Sequence, residues 1–206
     1  MKTGKKISAQ WQSLEPEHIS AYSLIVEEGT PFWERDLKLP DEDTEYRMYE
    51  DTAAILGEYG FHQYEISNYA KKGLECRHNK GYWQRTDYLG LGLGASSLID
   101  HIRFSNTDNM EEYIKNSRQP EKIRCDMERL SETDEMAEFM FLGLRMTEGV
   151  SMDVFEEYFG KKMESIYGDV LKKHLSIGML EKKESRIYLT RKGIHVSNGV
   201  MADFLL

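Results

Sequence analysis

Cysteine is scarce in this sequence, and its scarcity excludes several kinds of site. The 206 residues include only Cys76 and Cys125, which are far apart in the chain. Such a pair builds neither a disulfide framework nor a local CxxC metal site. The histidines also lack the HxxxH spacing of a helical zinc site. We therefore expect two reduced, unrelated thiols and no metal ligands for an iron-sulfur cluster in this chain.

Long apolar runs and clustered positive charges are missing as well. No stretch of about 18 apolar residues occurs, and the amino-terminal segment MKTGKKISAQWQSLEPEH lacks the apolar core of a signal peptide. The formal net charge is -9, which argues against a protein that binds nucleic acid through its phosphates. We expect a cytoplasmic protein with no transmembrane segment and no nucleic-acid partner.

The first third of the sequence contains the pattern of an α/β fold. Residues 18–26, HISAYSLIV, are typical of a strand, and a helical pattern begins after Pro40 and ends at Gly60. Residues 61–67, FHQYEIS, alternate like a second strand. The order of strand, helix and strand predicts a parallel βαβ unit.

From residue 127 onward the pattern is mainly helical. Ser131 and Asp134 resemble the capping pair at the start of an amphipathic helix. Two more helices, a pair of short strands and a last helix follow, at residues 151–159, 163–177, 180–189 and 190–205. This order predicts a mostly α, winged-helix-like domain.

Charge and polarity suggest how these parts are organised. Residues 127–206 contain 11 Lys and Arg against 14 Asp and Glu, which argues against DNA binding by a winged helix. The polar stretch 105–126, with a short helix around residues 110–116, is the expected connector. We therefore predict a first domain over 1–104 and a second over 127–206.

Residues 75–97, ECRHNKGYWQRTDYLGLGLGASS, contain the strongest candidate for a binding site. His78 and Tyr82 are four positions apart, so they share a face in either a helix or a strand. Imidazole is a common axial ligand of heme iron, and an aromatic ring packs well against a porphyrin. A histidine beside aromatic residues is also often purely structural, so both interpretations stay open.

Further side chains in this segment suit the same ligand. Trp83 supplies a second large ring next to Tyr82. Three basic residues flank the histidine, within reach of a heme's two propionates: Arg77, Lys80 and Arg85.

Three glycines end the segment and alternate with leucines. Gly90, Gly92 and Gly94 predict a strand with one face free of side chains. With Ala95 they match GxGxxA, a nucleotide-binding pattern that requires a helix to follow. Residues 96–106 are instead typical of a continued strand, so we reject a nucleotide site. The face that carries only glycines then either packs tightly against another part of the chain or lines a cofactor pocket.

Six ordered segments resemble the carboxy-terminal half of the HemW family, radical S-adenosylmethionine (SAM) proteins related to oxygen-independent coproporphyrinogen III oxidase. The segments are HISAYSLIVEEGTPF, LPDEDTEYRMYE, GFHQYEISNYAKKGLECRHNKGYW, DYLGLGLGASS, LGLRMTEGV and LTRKGIHVSNGVMADFL. They cover nearly the whole chain from about residue 14. The resemblance implies the last strands and helices of a partial (β/α) radical-SAM barrel, followed by the family's winged-helix-like carboxy-terminal domain.

The resemblance also implies a function. The family's HNxxYW signature is associated with heme binding, and it stands in this sequence as His78, Asn79, Tyr82 and Trp83. HemW proteins are regarded as supplying heme to other proteins, which implies a heme chaperone with heme-acceptor partners. The alternatives are a portion of a coproporphyrinogen III oxidase in porphyrin biosynthesis and a module that binds protein or DNA.

The family's cofactors are implied only for a longer parent protein. Family members hold a four-iron four-sulfur cluster through CxxxCxxC, and SAM occupies its unique iron. Because this sequence lacks that motif, we expect a fragment that neither assembles the cluster nor cleaves SAM. No catalytic residue is assigned, and whether the chain acts as an enzyme stays open.

Two residues are implied near the parent's SAM pocket. They are Tyr22, in the HISAYS segment, and Ser96, which stands where family members usually have the histidine of a GAHS motif. A half barrel also leaves strand edges uncovered, so a homodimer through such an edge is expected.

Overall fold

A computed structural model of the chain describes residues 14–206. These residues form two units, which divide between Cys76 and Arg77. The expected absence of a signal peptide, and the start of the predicted first domain, concern residues 1–13 and lie outside the described range. Across residues 14–206 there is no helix with the length and apolar character needed to cross a bilayer.

The first unit has α/β architecture, as the sequence predicts. Its elements are β1 (His18–Ser20), α1 (Glu42–Glu58), β2 (Phe61–Glu65) and β3 (Asn68–Lys71). Strand β3 lies between β1 and β2 and is antiparallel to both.

Two details of the predicted βαβ unit are wrong. Strands β1 and β2 run in the same direction but are not paired, because β3 occupies the place between them. The strand predicted over residues 18–26 ends at Ser20, because its partner β3 begins at Asn68. One more bond, from the Ala21 N–H to the Ser67 carbonyl, extends the pairing, and the chain then leaves the sheet.

Helix α1 begins and ends close to where the sequence predicts. The Asp41 carboxylate accepts a hydrogen bond from the Thr44 N–H at 2.8 Å. Hydrogen bonding from Thr44 also holds the pKa of Asp41 below its usual value. At the other end of the helix, Leu56 is buried with Phe61 and Tyr69 in the core of this unit.

The second unit opens with helix α2 and a sheet of its own. Its first elements are α2 (Arg77–Trp83), β4 (Ser96–Ile99), β5 (Ile102–Asn106), α3 (Met110–Lys115), α4 (Pro120–Ile123) and β6 (Arg124–Arg129). Strand β5 is the middle, antiparallel strand of this sheet. The short helix predicted around residues 110–116 is confirmed by α3.

The predicted connector lies inside this second unit. Residues 105–126 include the end of β5 and the start of β6, and these two strands pair with each other. The division into domains 1–104 and 127–206 therefore does not coincide with the division at Cys76. As an assignment of domains it stays a prediction.

The glycine segment is a loop, so the predicted strand is wrong there. Gly92 and Gly94 have φ angles of +109° and +66°, which break an extended backbone and which glycine tolerates. Gly90 is packed so closely that a Cβ atom would lie 2.2 Å from the carbonyl oxygen of Ser96. Tight packing is therefore confirmed at Gly90.

The residues after the glycines form a hairpin and not one continued strand. Strands β4 and β5 are joined by a turn at Asp100 and His101, both of which have positive φ. A hairpin rather than a helix follows the glycines, which confirms the rejection of a nucleotide-binding GxGxxA motif.

The rest of the second unit is largely helical. Its elements are α5 (Glu132–Gly143), β7 (Val150–Ser151), α6 (Met152–Phe159), α7 (Met163–Ser176), β8 (Leu180–Lys183), β9 (Arg186–Leu189), α8 (Arg191–His195) and α9 (Ser197–Ala202). Strand β9 lies between β7 and β8 and is antiparallel to both.

The single last helix predicted over residues 190–205 is wrong. Helices α8 and α9 are separated at Val196, which has φ -116° and ψ 25°. Gly193, in α8, packs directly against the backbone, since a Cβ atom there would lie 2.0 Å from the Met179 carbonyl oxygen. This close approach fixes α8 against the turn before β8.

The predicted capping pair on α5 is confirmed. Ser131 Oγ accepts a hydrogen bond from the Asp134 N–H, and the Asp134 carboxylate accepts one from the Ser131 N–H. Hydrogen bonds from Ser131 hold the pKa of Asp134 below its usual value. The core of this part of the unit contains Phe155, Tyr167 and Phe204, which contact one another through their rings.

Candidate functional site

Two rings of helix α2, those of His78 and Tyr82, form a row with the half-buried ring of Tyr88, which we call the aromatic row. The rings of His78 and Tyr82, one helical turn apart, meet edge to face with their centroids 4.7 Å apart. The ring of Tyr82 also contacts that of Tyr88, at 4.6 Å between centroids. His78 and Tyr82 are both exposed to solvent. The prediction that these two residues share a face is confirmed.

Trp83 has a different role in the same helix. It lies about 100° around the helix from Tyr82, and its ring lies under the guanidinium of Arg145 at 4.4 Å. It also lines an open cavity of about 310 Å³ together with Phe139 and Met146. Its indole Nε1 is buried and has no hydrogen-bond partner within residues 14–206. Trp83 therefore anchors α2 to the helical part of the unit, and its contact with heme stays a prediction.

Two of the three predicted propionate partners are available on α2. Arg77 is exposed and Lys80 is half-buried. No carboxylate in the described part of the chain forms an ion pair with either one. Asn79, the remaining residue of the signature, is half-buried and makes contacts of its own. The positive charge that these two residues give α2 is therefore open to an anionic ligand.

Arg85 is not available in the same way, which corrects the prediction for this residue. Its side chain is only 8% exposed, and its Nε donates a hydrogen bond to Glu138 at 2.9 Å. Its second terminal nitrogen lies 3.4 Å from a Glu135 oxygen. Arg103 also pairs with Glu138, and His101 pairs with Glu135. We call these five side chains the buried charge cluster after its three buried members, Arg85, Glu135 and Glu138, whereas the side chains of His101 and Arg103 are 48% and 39% exposed. Arg85 is already neutralised within this cluster.

Sequence reasoning missed this cluster. Glu135 and Glu138 stand three apart on α5, so they share a face, and both are buried. One cue was present in the sequence: the two glutamates stand among the apolar residues Met136, Ala137 and Met140, which are also buried. Carboxylates on an amphipathic helix normally mark the solvated face, so this cue is weak without the partners.

The two predicted SAM-pocket residues belong to different units. The Tyr22 ring is 69% exposed, and its hydroxyl accepts a hydrogen bond from Asn68 Nδ2 at 3.2 Å. With Tyr49 and Tyr69 it lines an open cavity of about 390 Å³ in the first unit. Ser96 begins β4 of the second unit and is exposed. A shared SAM pocket stays a prediction.

The cysteines also belong to different units, and neither forms a disulfide. The Cys125 thiol lies beside the hydroxyl of Ser105 on the neighbouring strand, at 3.3 Å. Within the range that the structure covers, from residue 14 onward, no group of three or more His, Cys, Asp or Glu side chains is arranged to hold a metal ion.

Known proteins resemble this chain in sequence. Residues 130–196 match the family described as the HemN C-terminal domain. The heme chaperone HemW of Lactococcus lactis is 36% identical over 100% of this chain, and that of Bacillus subtilis is 38% identical over 94% of it. The chain is HemW-like in sequence. The alignments cover 55% and 52% of those two relatives, so the chain spans about half their length.

A solved structure shares the fold of this HemW-like chain. The match is coproporphyrinogen III oxidase (HemN) from Escherichia coli, described as a radical SAM enzyme. The TM-score is 0.75 over 96% of this chain and 50% of that one, at 16% sequence identity. This likeness shows the fold alone. The HemW relatives confirm the family resemblance seen in the sequence.

Proposed function

We propose that this HemW-like chain binds heme on helix α2 and delivers it to acceptor proteins. The observation that carries the proposal is the aromatic row, in which the exposed His78 imidazole stands beside Tyr82. The same helix carries Arg77 and Lys80, which form no ion pair within residues 14–206. The printed names of the relatives, heme chaperones, support heme as the cargo.

The side chains of α2 fit heme chemically. An imidazole is a suitable axial ligand for the iron, and no hydrogen bond occupies the His78 ring within the described residues. The Tyr82 ring restricts the orientation of that imidazole and offers apolar surface to a porphyrin. Arg77 and Lys80 supply the charges that two propionates require. A structural histidine would normally be buried and hydrogen-bonded, whereas His78 is exposed and its ring has no hydrogen bond to any residue from 14 onward.

The exposure of the site suits delivery more than storage. A helix on the surface contributes one axial ligand and contacts one side of the cargo. The other side stays accessible to an acceptor, which takes over the iron by replacing the His78 imidazole with its own ligands. A deep pocket would instead hold heme tightly and delay its release.

We further propose that the carboxy-terminal part of the second unit is a winged-helix domain. The order α5, β7, α6, α7, β8 and β9, with β9 in the middle of its sheet, supports this assignment. Residues 127–206 are net negative, which argues against DNA as the partner. The cation–π contact of Arg145 with Trp83 gives the domain a supporting role for α2 instead.

The remaining proposals concern the longer parent and its surroundings. The first unit would be part of a radical-SAM barrel, which the fold likeness to HemN supports. Tyr22 and Ser96 are proposed contacts for SAM in a parent that also carries the CxxxCxxC cluster motif. A cytoplasmic location and a homodimer through an uncovered edge of the β1–β3–β2 sheet complete the proposal.

Heme transfer to an apo-globin tests the proposed function. The chain is loaded with hemin, freed of excess, and mixed with apo-myoglobin while the globin absorbance spectrum is followed. We expect a defined loaded complex that passes its heme to the globin, and His78→Ala should fail to form that complex. Failure of the unaltered chain to retain hemin at micromolar concentration would overturn the proposal.

A further inference from the structure

Arg85 ends helix α2 in a backbone conformation that usually selects glycine. Its φ is +54°, its N–H donates to the Tyr82 carbonyl at 3.2 Å, and the Thr86 N–H donates to the Gly81 carbonyl at 2.9 Å. These two bonds are those of a Schellman motif, in which the left-handed residue is normally glycine or asparagine. An arginine is strained at this position, so contacts of its side chain must compensate for the strain, which a glycine would not have.

The side chain of Arg85 supplies that compensation. It is buried and bonds to Glu138 and Glu135, and both of these carboxylates belong to α5. Arg103, from β5, pairs with the same Glu138 carboxylate. Arg85 therefore sets the end of α2 and attaches it to α5. Because Arg103 shares the Glu138 carboxylate, the same attachment reaches β5.

Helix α2 depends on such attachments because it cannot hold itself in place. It has only seven residues and none of them is fully buried. A helix this short is unstable in isolation, so its orientation must come from tertiary contacts. Within the described residues, the Trp83 contact with Arg145 and the buried charge cluster supply two such contacts at its carboxyl end.

We infer that Arg85 is a positioning residue for the heme site. By fixing the end of α2 against Glu138 and Glu135, it sets the direction in which His78 and Tyr82 project. Arg85 acts through the helix and does not touch the ligand. This inference rests on the proposed heme function, and it assigns the buried charge cluster a part in that function.

A set of matched variants separates positioning from stability. Arg85→Gly removes the ion pairs and leaves Glu135 and Glu138 with fewer partners, a loss of stability that relief of the strained left-handed backbone offsets only in part. Arg85→Lys keeps the charge and loses the planar fork. Glu138→Gln weakens the cluster from the other side. Glu132→Gln, which removes one partner of a surface ion pair with Lys161, is the control.

The readouts are the hemin dissociation rate and the electron paramagnetic resonance spectrum of the ferric complex, at a temperature where circular dichroism shows full folding. We expect Arg85→Gly and Glu138→Gln to release hemin about tenfold faster, with a broadened spectrum, and Arg85→Lys to be intermediate. Glu132→Gln should match the unaltered chain. A folded Arg85→Gly variant with unchanged release and spectrum would overturn the inference and leave heme binding intact.

Amide hydrogen exchange without heme gives an answer independent of the proposed function. In Arg85→Gly the amides of α2 should exchange faster, while those of α7, which is remote in sequence and lies outside the cluster, should keep their protection. Unchanged protection of α2 would overturn the positioning role even if the unaltered chain binds no hemin at all.

Discussion

The imidazole of His78 meets the ring of Tyr82 edge to face, with 4.7 Å between the centroids, on the exposed side of a seven-residue helix. Trp83, the next residue, turns inward and lies against Arg145. The HNKGYW segment is thus split between a face that can meet a ligand and an anchor that holds the helix. This split decides which substitutions should affect binding and which should affect stability.

Trp83→Ala should destabilise the second unit. The substitution removes a half-buried ring and its cation–π contact with Arg145, which we expect to cost about 2–4 kcal/mol in the free energy of unfolding. Urea denaturation followed by circular dichroism measures this loss. Trp33→Ala, which removes a ring that is 57% exposed, is the matched control and should change stability little.

Gly90→Ala should destabilise the glycine loop and the hairpin beneath it. A Cβ atom there would lie 2.2 Å from the Ser96 carbonyl oxygen, so the backbone must shift at a cost of about 1–3 kcal/mol. For Gly57→Ala we expect the opposite change in stability, because no atom lies within 4 Å of a Cβ placed at that position of α1. It should stabilise the chain by about 0.5–1 kcal/mol. Equal destabilisation by both substitutions would contradict the close packing at Gly90.

The stability of the second unit should fall at alkaline pH because of Tyr167. Burial raises the pKa of Tyr167 to about 12, above the value of about 10 expected for an unfolded tyrosine. The unfolded state therefore loses the proton first, and stability declines as the pH rises from about 10 to about 12. Unfolding by urea at a series of pH values measures this decline.

Tyr167→Phe should remove that share of the alkaline decline. The Tyr167 hydroxyl is buried without a partner in the described part of the chain, so its loss should not weaken the fold near neutral pH. Tyr158→Phe, which removes a hydroxyl from a side chain that is 54% exposed, is the control. If the free energy of unfolding fell equally between about pH 10 and about pH 12 in Tyr167→Phe and in the unaltered chain, the assignment of this decline to Tyr167 would be contradicted.

Local patterns were sufficient to predict the elements that depend on local chemistry. Asp41 and Ser131 mark the starts of two helices, because a capping side chain bonds to a backbone N–H within the first turn. The shared face of His78 and Tyr82 was predictable for the same reason, since any regular backbone places residues four apart on one side. The ligand itself entered only through the family resemblance.

Features that depend on distant partners were not predictable in this way. Strand β3 was missed because its four residues carry no distinctive alternation, and its place between β1 and β2 is a long-range pairing. The roles of Arg85 and Trp83 depend on Glu138 and Arg145, more than 50 residues away in sequence. Sequence reasoning assigned both side chains to the ligand from local spacing alone, and it could not show the contacts by which they also hold α2.

Hemin titration with His78→Ala tests the central claim most directly. The unaltered chain should bind one hemin per chain with a shift of the Soret band, and His78→Ala should lose that shift. His62→Ala is the matched control, because this exposed histidine of the first unit bonds to Glu75 and should leave the spectrum unchanged. A His78→Ala variant with the same Soret shift and affinity as the unaltered chain would contradict the account.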